Sequence, residues 1–256
     1  MESTLTPEKK RTNLFVILSA IFLTNALLAE LIGVKIFSGE AVFGLPGAQL
    51  GILGTKLDFN LTAGVIIWPV VFITTDIINE YFGKAGVKKV SIITVLLILY
   101  AFVVITIVTG LPPAPFWLEV NSQDAQGQLF NIDFAFNAIY RQGMGIIIGS
   151  VVAFLISQFL DATVFHWLKS FTGTNKIWLR ATGSTLVSQL IDSVVVLFIA
   201  FYAFGNWSLT QVFSVAALNY IYKFFIAIAL TPLLYVAHYV IDSYLDIPAK
   251  KKLRQV

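Results

Sequence analysis

Apolar positions in this chain fall into six long runs, residues 14–37, 61–82, 90–110, 143–168, 178–204 and 209–240, joined by short connectors and two longer ones, 38–60 and 111–142. A helix rises 1.5 Å per residue, so about 20 apolar residues cross a hydrocarbon core of about 30 Å. Each run reaches that length, and the last exceeds it enough to tilt or run past the bilayer. The pattern predicts an all-α integral membrane protein, a single transmembrane domain of six helices over residues 1–256. Composition agrees: 57% of residues are hydrophobic and 12% charged, where soluble domains carry about 25% charged residues. There is no cysteine, which excludes a disulfide framework, a thiolate nucleophile and a thiolate metal site.

The net charge of +3 is a matter of placement. Lys9, Lys10 and Arg11 precede the first run, Lys84, Lys88 and Lys89 join the second and third, and Lys169, Lys176 and Arg180 join the fourth and fifth. Lys250, Lys251, Lys252 and Arg254 follow the sixth, while the alternate connectors hold only Lys56 and Arg141, with Lys35 at a run's edge. Basic residues stay on the cytoplasmic side, so both termini are expected there, in the cytoplasmic (inner) membrane. No basic groove or recognition motif accompanies the charge, so no nucleic-acid partner is expected. The first run is read as an uncleaved span. "GILGTK" lacks phosphate-loop spacing, so no nucleotide-hydrolysis motif is present. The 111–142 connector opens on "LPPAPFW", where prolines stop a helix, and continues into "LFNIDFAFNAIYR", an amphipathic segment suited to the interface.

Five acids lie in or at the edges of the runs, Glu30, Asp76, Glu80, Asp161 and Asp192, against one deep cation, Lys223. A charge at mid-membrane costs about 3 kcal/mol or more, so such groups face a bundle interior or a polar cavity. Asp76, Asn79 and Glu80 stand at i, i+3, i+4, on one helical face. Counted from Leu61, Asp76 lies about 22 Å into the membrane. Glu80 and Lys84 are also i, i+4, and an interfacial ion pair is the alternative reading of Glu80. Ser-Gln-x-x-Asp occurs twice, ending at Asp161 and Asp192, with Gln158 and Gln189 both near mid-membrane. Antiparallel helices then carry the two aspartates apart from that level, as a two-fold axis in the membrane plane requires. A separation of about 10 Å in depth between them argues against an aspartyl protease dyad. Thr185, Gln189 and Asp192 form a polar stripe with Ser184 and Ser188 beside it. Trp68 with Pro69, and Pro232, mark expected kinks. Trp68 suits stacking on a planar ligand or ordinary packing, and His166 and His238 read as interfacial histidines without metal-ligand spacing.

"TAGVIIWPVVFITTDIINEYFGK" resembles the Pro-containing D-x-x-N-E-x-[YF]-G-K signature of the queuosine precursor transporters, also called the vitamin uptake family. "RATGSTLVSQLIDSVVVLFIAFYAFG" is similar to its G-S-T…Q-x-x-D helix, "YIYKFFIAIALTPLLY" to its final K…T-P-x-x-Y helix, and Asn25 to its first-span asparagine. The resemblance implies import of a 7-deazaguanine base, the 7-cyano or 7-aminomethyl form or queuine, for tRNA modification. It implies no cofactor, no metal and no catalysis, with a nucleobase-like small molecule and membrane lipids as partners; a homodimer is compatible with it. A guanine-like edge offers donors to a carboxylate and a carbonyl to Gln, Asn or Lys. The expected binding residues are Asp192 or Asp76 on that edge, with Gln189, Gln158, Asn79 and Lys223 completing it. Glu80, Asp161, Asn25 and Trp68 stand beside them as further candidates. The alternatives are a substrate-binding subunit of an ATPase-driven vitamin uptake system and, more distantly, an intramembrane enzyme.

Overall fold

Thr6 caps the first helix by accepting the Lys9 N–H at 3.4 Å, and Pro7 supplies a preset φ at its first turn. In the computed structural model, which describes residues 6–33, 35–141, 144–173 and 176–247, this helix is α1, Pro7–Ile32. It therefore stops short of the expected boundary at 37, and the chain leaves it as strand β1 (Ile36–Ser38). Gly143, the expected start of the fourth run, and the basic tail at Lys250, Lys251, Lys252 and Arg254 lie outside the described residues.

The Gly-rich stretch 39–62 is a small cap rather than an irregular loop. It holds a helical turn, α2 (Gly39–Val42), and strands β2 (Leu50–Ile52), β3 (Thr55–Leu57) and β4 (Asn60–Thr62). β1 pairs with β4, Phe37 opposite Leu61, and β2 with β3, Gly51 opposite Lys56. Leu53 and Gly54 both have positive φ, 48° and 82°, as a tight two-residue hairpin requires. Glu40 ties the cap together. Its carboxylate accepts the Phe59 N–H at 2.8 Å, the Ala48 N–H at 3.1 Å and the Ser38 hydroxyl at 3.1 Å. These bonds, that from Phe59 foremost, hold its carboxyl down at about 2.

After a 3₁₀ turn, Ala63–Ile66, comes α3 (Trp68–Val108). Gly83 interrupts it with φ 68° and ψ −173°, a conformation essentially reserved for glycine. The chain reverses there. A Cβ on Gly86 would stand 2.6 Å from the Phe82 Cβ and 3.3 Å from the Ile78 Cγ2, although eight residues of continuous helix would separate positions 78 and 86 by about 12 Å. Both legs join one core: Val71, Ile77 and Ile78 before the break and Val87, Val90 and Val95 after it pack with Leu14, Leu18 and Phe22 of α1. The connector expected between the second and third runs is thus one glycine.

Two short helices, α4 (Pro115–Val120) and α5 (Ile132–Tyr140), occupy the long connector. α5 is the expected amphipathic segment, begun by the Asn131 side chain accepting the Phe134 N–H at 2.9 Å. Then follow α6 (Met144–Thr172), α7 (Ile177–Leu197), continued by a π-helical turn, Phe198–Ala203, and α8 (Leu209–Tyr244), opened by a capping box between Ser208 and Gln211. α6 packs on α7 and α7 on α8. Among the described residues five helices, α1, α3, α6, α7 with its π turn, and α8, are long and apolar enough to cross a membrane. Large apolar side chains such as Leu96, Val103, Phe225 and Val236 stand exposed on their outer faces, as lipid contact requires. The basic residues gather at one end, opposite the cap. Arg11 donates to the Tyr81 carbonyl at 2.7 Å, Lys10 pairs with Asp246 at 2.5 Å, and Lys89 lies over the Phe15 ring.

Candidate functional site

Where the first leg of α3 would need to be helical to span a bilayer by itself, it is not. From Trp68 to the break it rises only about 22 Å, and the non-helical backbone of β4 and the 3₁₀ turn precedes it. Such backbone is tolerated at membrane depth where it lines a cavity, and here it does. A cavity of about 680 Å³ lies beneath the cap, its wall including Leu61, Thr62, Gly64 and Val65. That volume is in the range of small-molecule sites.

Its floor and sides combine aromatic faces with charge. Trp68 sits at the head of α3, stacked on Phe72 at 5.8 Å between centroids and tilted against Phe154. Pro69 follows at the start of the helix, so it begins α3 instead of producing the kink that its place in the apolar run predicts. Asp192 of α7 meets Lys223 of α8 at 2.6 Å. Glu30 of α1 accepts the Ser150 hydroxyl of α6 at 2.5 Å. Asn219 and Tyr222 reach the same space from the Lys223 face of α8. Thus one wall offers carboxylates, another an ammonium and an amide, and between them stands an indole ring.

Deeper in the bundle is a second, closed group. Thr75 donates to the Gln158 Oε1 at 3.1 Å, joining α3 to α6. Ser188 and Thr185 of α7 donate to the Asp161 Oδ1 at 3.2 and 3.4 Å. Asp76, Asn79, Gln158, Asp161 and Gln189 are all buried. Among the described residues, Asp76 Oδ1, Asp161 Oδ2, Gln189 Oε1 and both amide atoms of Asn79 meet no hydrogen-bond partner. Asp76 also opens on a cleft of about 30 Å³ between α3, α7 and α8 that Thr182, Thr185 and Thr231 line.

At the basic end, Glu80 does not pair with Lys84. It bonds Lys169 of α6 at 3.0 Å and Arg180 of α7 at 3.1 Å, because both cations project across the bundle toward the inner face of α3. Next to them the Tyr81 hydroxyl donates to the Asp242 Oδ1 at 2.6 Å and lies 3.0 Å from His238 Nδ1.

The candidate residues therefore separate into layers. Trp68, Asp192 and Lys223 line the cavity; Asp76, Asn79, Gln158, Asp161 and Gln189 form the buried group; Glu80 belongs to the ion-pair layer. Asn25 lies apart, its amide bonded to the Ile21 carbonyl of its own helix at 2.8 Å. Asp161 and Asp192 share no partner, each being held in a different layer. Asp76 stands eight residues into its helix, a rise of about 12 Å from Trp68. His238 is buried and bonded rather than interfacial. Pro232 lies inside α8, which continues through it. Tyr81, Asp242, Asn219 and Tyr222 were not singled out in the sequence, and Arg180 was read there only as a connector charge. The i, i+3, i+4 spacing of Asn219, Tyr222 and Lys223 was the signal available for three of the cavity residues. Among the described residues no cluster of three His, Cys, Asp or Glu offers a metal site.

A family model described as "Putative vitamin uptake transporter" matches residues 62–237, which include candidate residues of all three layers. The chain belongs to the vitamin uptake transporter family. A Bacillus subtilis protein named "Probable queuosine precursor transporter" is 28% identical over 77% of this chain and 80% of its own length. A protein of the same name from Haemophilus influenzae is 25% identical over 71% of each chain, and the Escherichia coli "Queuosine precursor transporter" 26% identical over 67% of this chain and 70% of its own. No solved structure matches. This family member is a multi-pass transporter of the cytoplasmic membrane, not an enzyme.

Proposed function

We propose that this transporter imports a queuosine precursor, a 7-deazaguanine base, through a bundle of six helical crossings whose termini both lie in the cytoplasm. The names of its relatives support the substrate class. The reversal at Gly83 supports counting α3 as two crossings, and the gathering of basic residues at one end supports placing that end in the cytoplasm. The capped cavity then faces outward.

The observation that carries the reading is the juxtaposition of Trp68 with the Asp192–Lys223 pair and Glu30 in one cavity. A deazaguanine is flat and apolar on its faces, which suits stacking on the Trp68 indole. Its ring N–H and amino group suit bidentate donation to the Asp192 carboxylate, and its carbonyl suits Lys223 or Asn219 as donor. Glu30 is placed to take a cationic aminomethyl arm. Asp192 is preferred to Asp76 as the base-edge acceptor, since Asp192 lines the cavity and Asp76 the smaller cleft below.

The test is uptake of labelled 7-cyano- and 7-aminomethyl-7-deazaguanine by a foreign host that lacks its own uptake, paired with thermal stabilisation of the purified protein by the same bases, guanine and unrelated vitamins. Uptake by this chain alone, with stabilisation by deazaguanines and loss of both in Asp192→Asn, is the expected result. No uptake, and no stabilisation by any deazaguanine well above micromolar concentration, overturns the substrate. Uptake only in the presence of a separate ATPase overturns autonomous transport.

A further inference from the structure

The acids of the bundle are not equivalent in how they are balanced. Glu80 has Arg180 and Lys169, Asp192 has Lys223, Asp242 has the Tyr81 hydroxyl, and Glu30 has Ser150. Among the described residues Asp76 and Asp161 meet no cation. Both are buried, and Thr185 of α7 links their surroundings, donating to Asp161 and lining the cleft against Asp76. A charge at membrane depth without a counter-ion is costly, and a bound proton removes one of the two.

The surroundings treat the two unequally. Asp161 accepts two hydroxyls on one oxygen, from Ser188 and Thr185. Asp76 Oδ1 accepts none among the described residues. The site is larger than the two acids. Thr75 bonds Gln158 on α6, and Asn79 follows one turn later on the same face of α3, fully buried with both amide atoms unmatched. Gln189, next to Ser188 on α7, leaves its Oε1 unmatched as well. Buried amides without partners are uncommon enough to call for an occupant or a second arrangement of the bundle.

We propose that Asp76 and Asp161 form the coupling site of this transporter, a carboxylate pair that takes up one proton from the outer side and releases it to the cytoplasm in each transport cycle. This rests on the transport reading above. The pair lies between the outer cavity, which ends one turn away at Asp192, and the ion-pair layer at Glu80. The cleft against Asp76 supplies the inward path: at about 30 Å³ it has room for a water, and the Thr182 and Thr231 hydroxyls that line it lie 3.1 Å apart toward the basic end. The charged and titratable groups around the pair are Glu80 with Arg180, Lys169 and His166 below, Asp192 with Lys223 and Glu30 above, and Tyr81, His238 and Asp242 at the α3–α8 contact. Among the described residues His166 and His238 leave Nε2 unmatched, while His238 Nδ1 meets the Tyr81 hydroxyl and the others have an ion pair or hydrogen bond. α1 otherwise gives the core the apolar Leu14, Leu18, Phe22 and Ala26.

The test uses the intact protein in proteoliposomes and labelled deazaguanine. Counterflow exchange without any ion gradient reads transport itself; accumulation under an acid-outside gradient reads coupling. One proton per molecule and a one-unit gradient give accumulation approaching about tenfold, abolished by a protonophore. Asp76→Asn is expected to lose gradient-driven accumulation and the pH dependence of exchange, both of which Asp76→Glu retains. The wild-type infrared spectrum should contain a protonated-carboxyl band that Asp76→Asn or Asp161→Asn removes. Counterflow with no effect of a pH gradient, or with accumulation driven by sodium instead, overturns proton coupling and leaves transport standing. Absence of counterflow and binding in the wild type overturns the transport reading and this proposal with it. Should Asp76→Asn fail to fold, the wild-type gradient experiment and the Asp161→Asn spectrum decide.

Discussion

Replacing Glu80 by Gln should expose how the basic end of the bundle is held shut. Arg180 is fully buried, at 0% side-chain exposure, and the Glu80 carboxylate at 9% is its anionic partner at 3.1 Å. Its NH1 also donates to the Gly173 carbonyl at 3.1 Å, and its guanidinium lies over the Phe165 ring, so the side chain cannot simply swing into water. Removing one member of a buried pair leaves an uncompensated charge, at about 3–5 kcal/mol. Lys169, 30% exposed, adds at most about 1 kcal/mol through its own bond to Glu80. At about 2–4 °C per kcal/mol for a chain of this size, Glu80→Gln should lower the melting temperature in detergent by roughly 10 °C, and Lys169→Ala by no more than about 4 °C. Glu80→Leu with Arg180→Met, which replaces the pair by apolar volume, should recover most of the loss. Fluorescence-monitored unfolding on size-exclusion-purified variants measures all three. A Glu80→Gln variant within about 1 kcal/mol of wild type would refute the reasoning, and so would a double variant no better than the single one. Because Glu80 stands two layers below the cavity, folded Glu80→Gln should also bind deazaguanine with unchanged affinity.

Stacking on an aromatic ring is worth about 1–3 kcal/mol per base, so Trp68→Ala should weaken deazaguanine binding roughly 5- to 150-fold by titration calorimetry, with Trp68→Phe losing less. Gly83→Ala forces a side chain into a glycine-only conformation and should destabilise the protein by about 1–3 kcal/mol in thermal unfolding; since only His166 lies near, at 3.9 Å, the cost is backbone strain and a smaller residue nearby should not relieve it. For Glu40, the folded carboxyl titrates at about 2, below its ordinary 4.5. Its contribution to the cap is therefore complete above about 4.5 and is lost as pH falls toward 2. Hydrogen exchange of the Ala48 and Phe59 amides should accelerate relative to other cap amides across that window, and Glu40→Gln should remove the pH dependence.

The solvent of this protein was legible in its sequence, because apolar runs of about 20 residues satisfy the length and backbone constraints of a bilayer without reference to any other part of the chain. The alternation of Lys and Arg between connectors predicted one basic end, and among the described residues Lys10, Arg11, Lys169 and Arg180 bond to partners gathered at one end of the bundle. Helical spacing likewise put Asp76 and Asn79 on one face, and Gln158 and Asp161 on another, because 3.6 residues per turn is a local property. What spacing could not supply was partner choice. Glu80 had a sequence neighbour of opposite sign in Lys84 and bonds instead to Lys169 and Arg180, which only the packing of α3 against α6 and α7 brings near. The division between Asp192, beside Lys223 in an open cavity, and Asp76, buried against a cleft lined by threonines, arose in the same way. The cap escaped notice because strands of three residues carry too little periodicity to read, and the reversal of α3 because a single glycine in a basic connector looks like any other. Charge and hydropathy act along the chain; ion pairs, cavities and cavity floors are made between helices, and only their tertiary arrangement decides them.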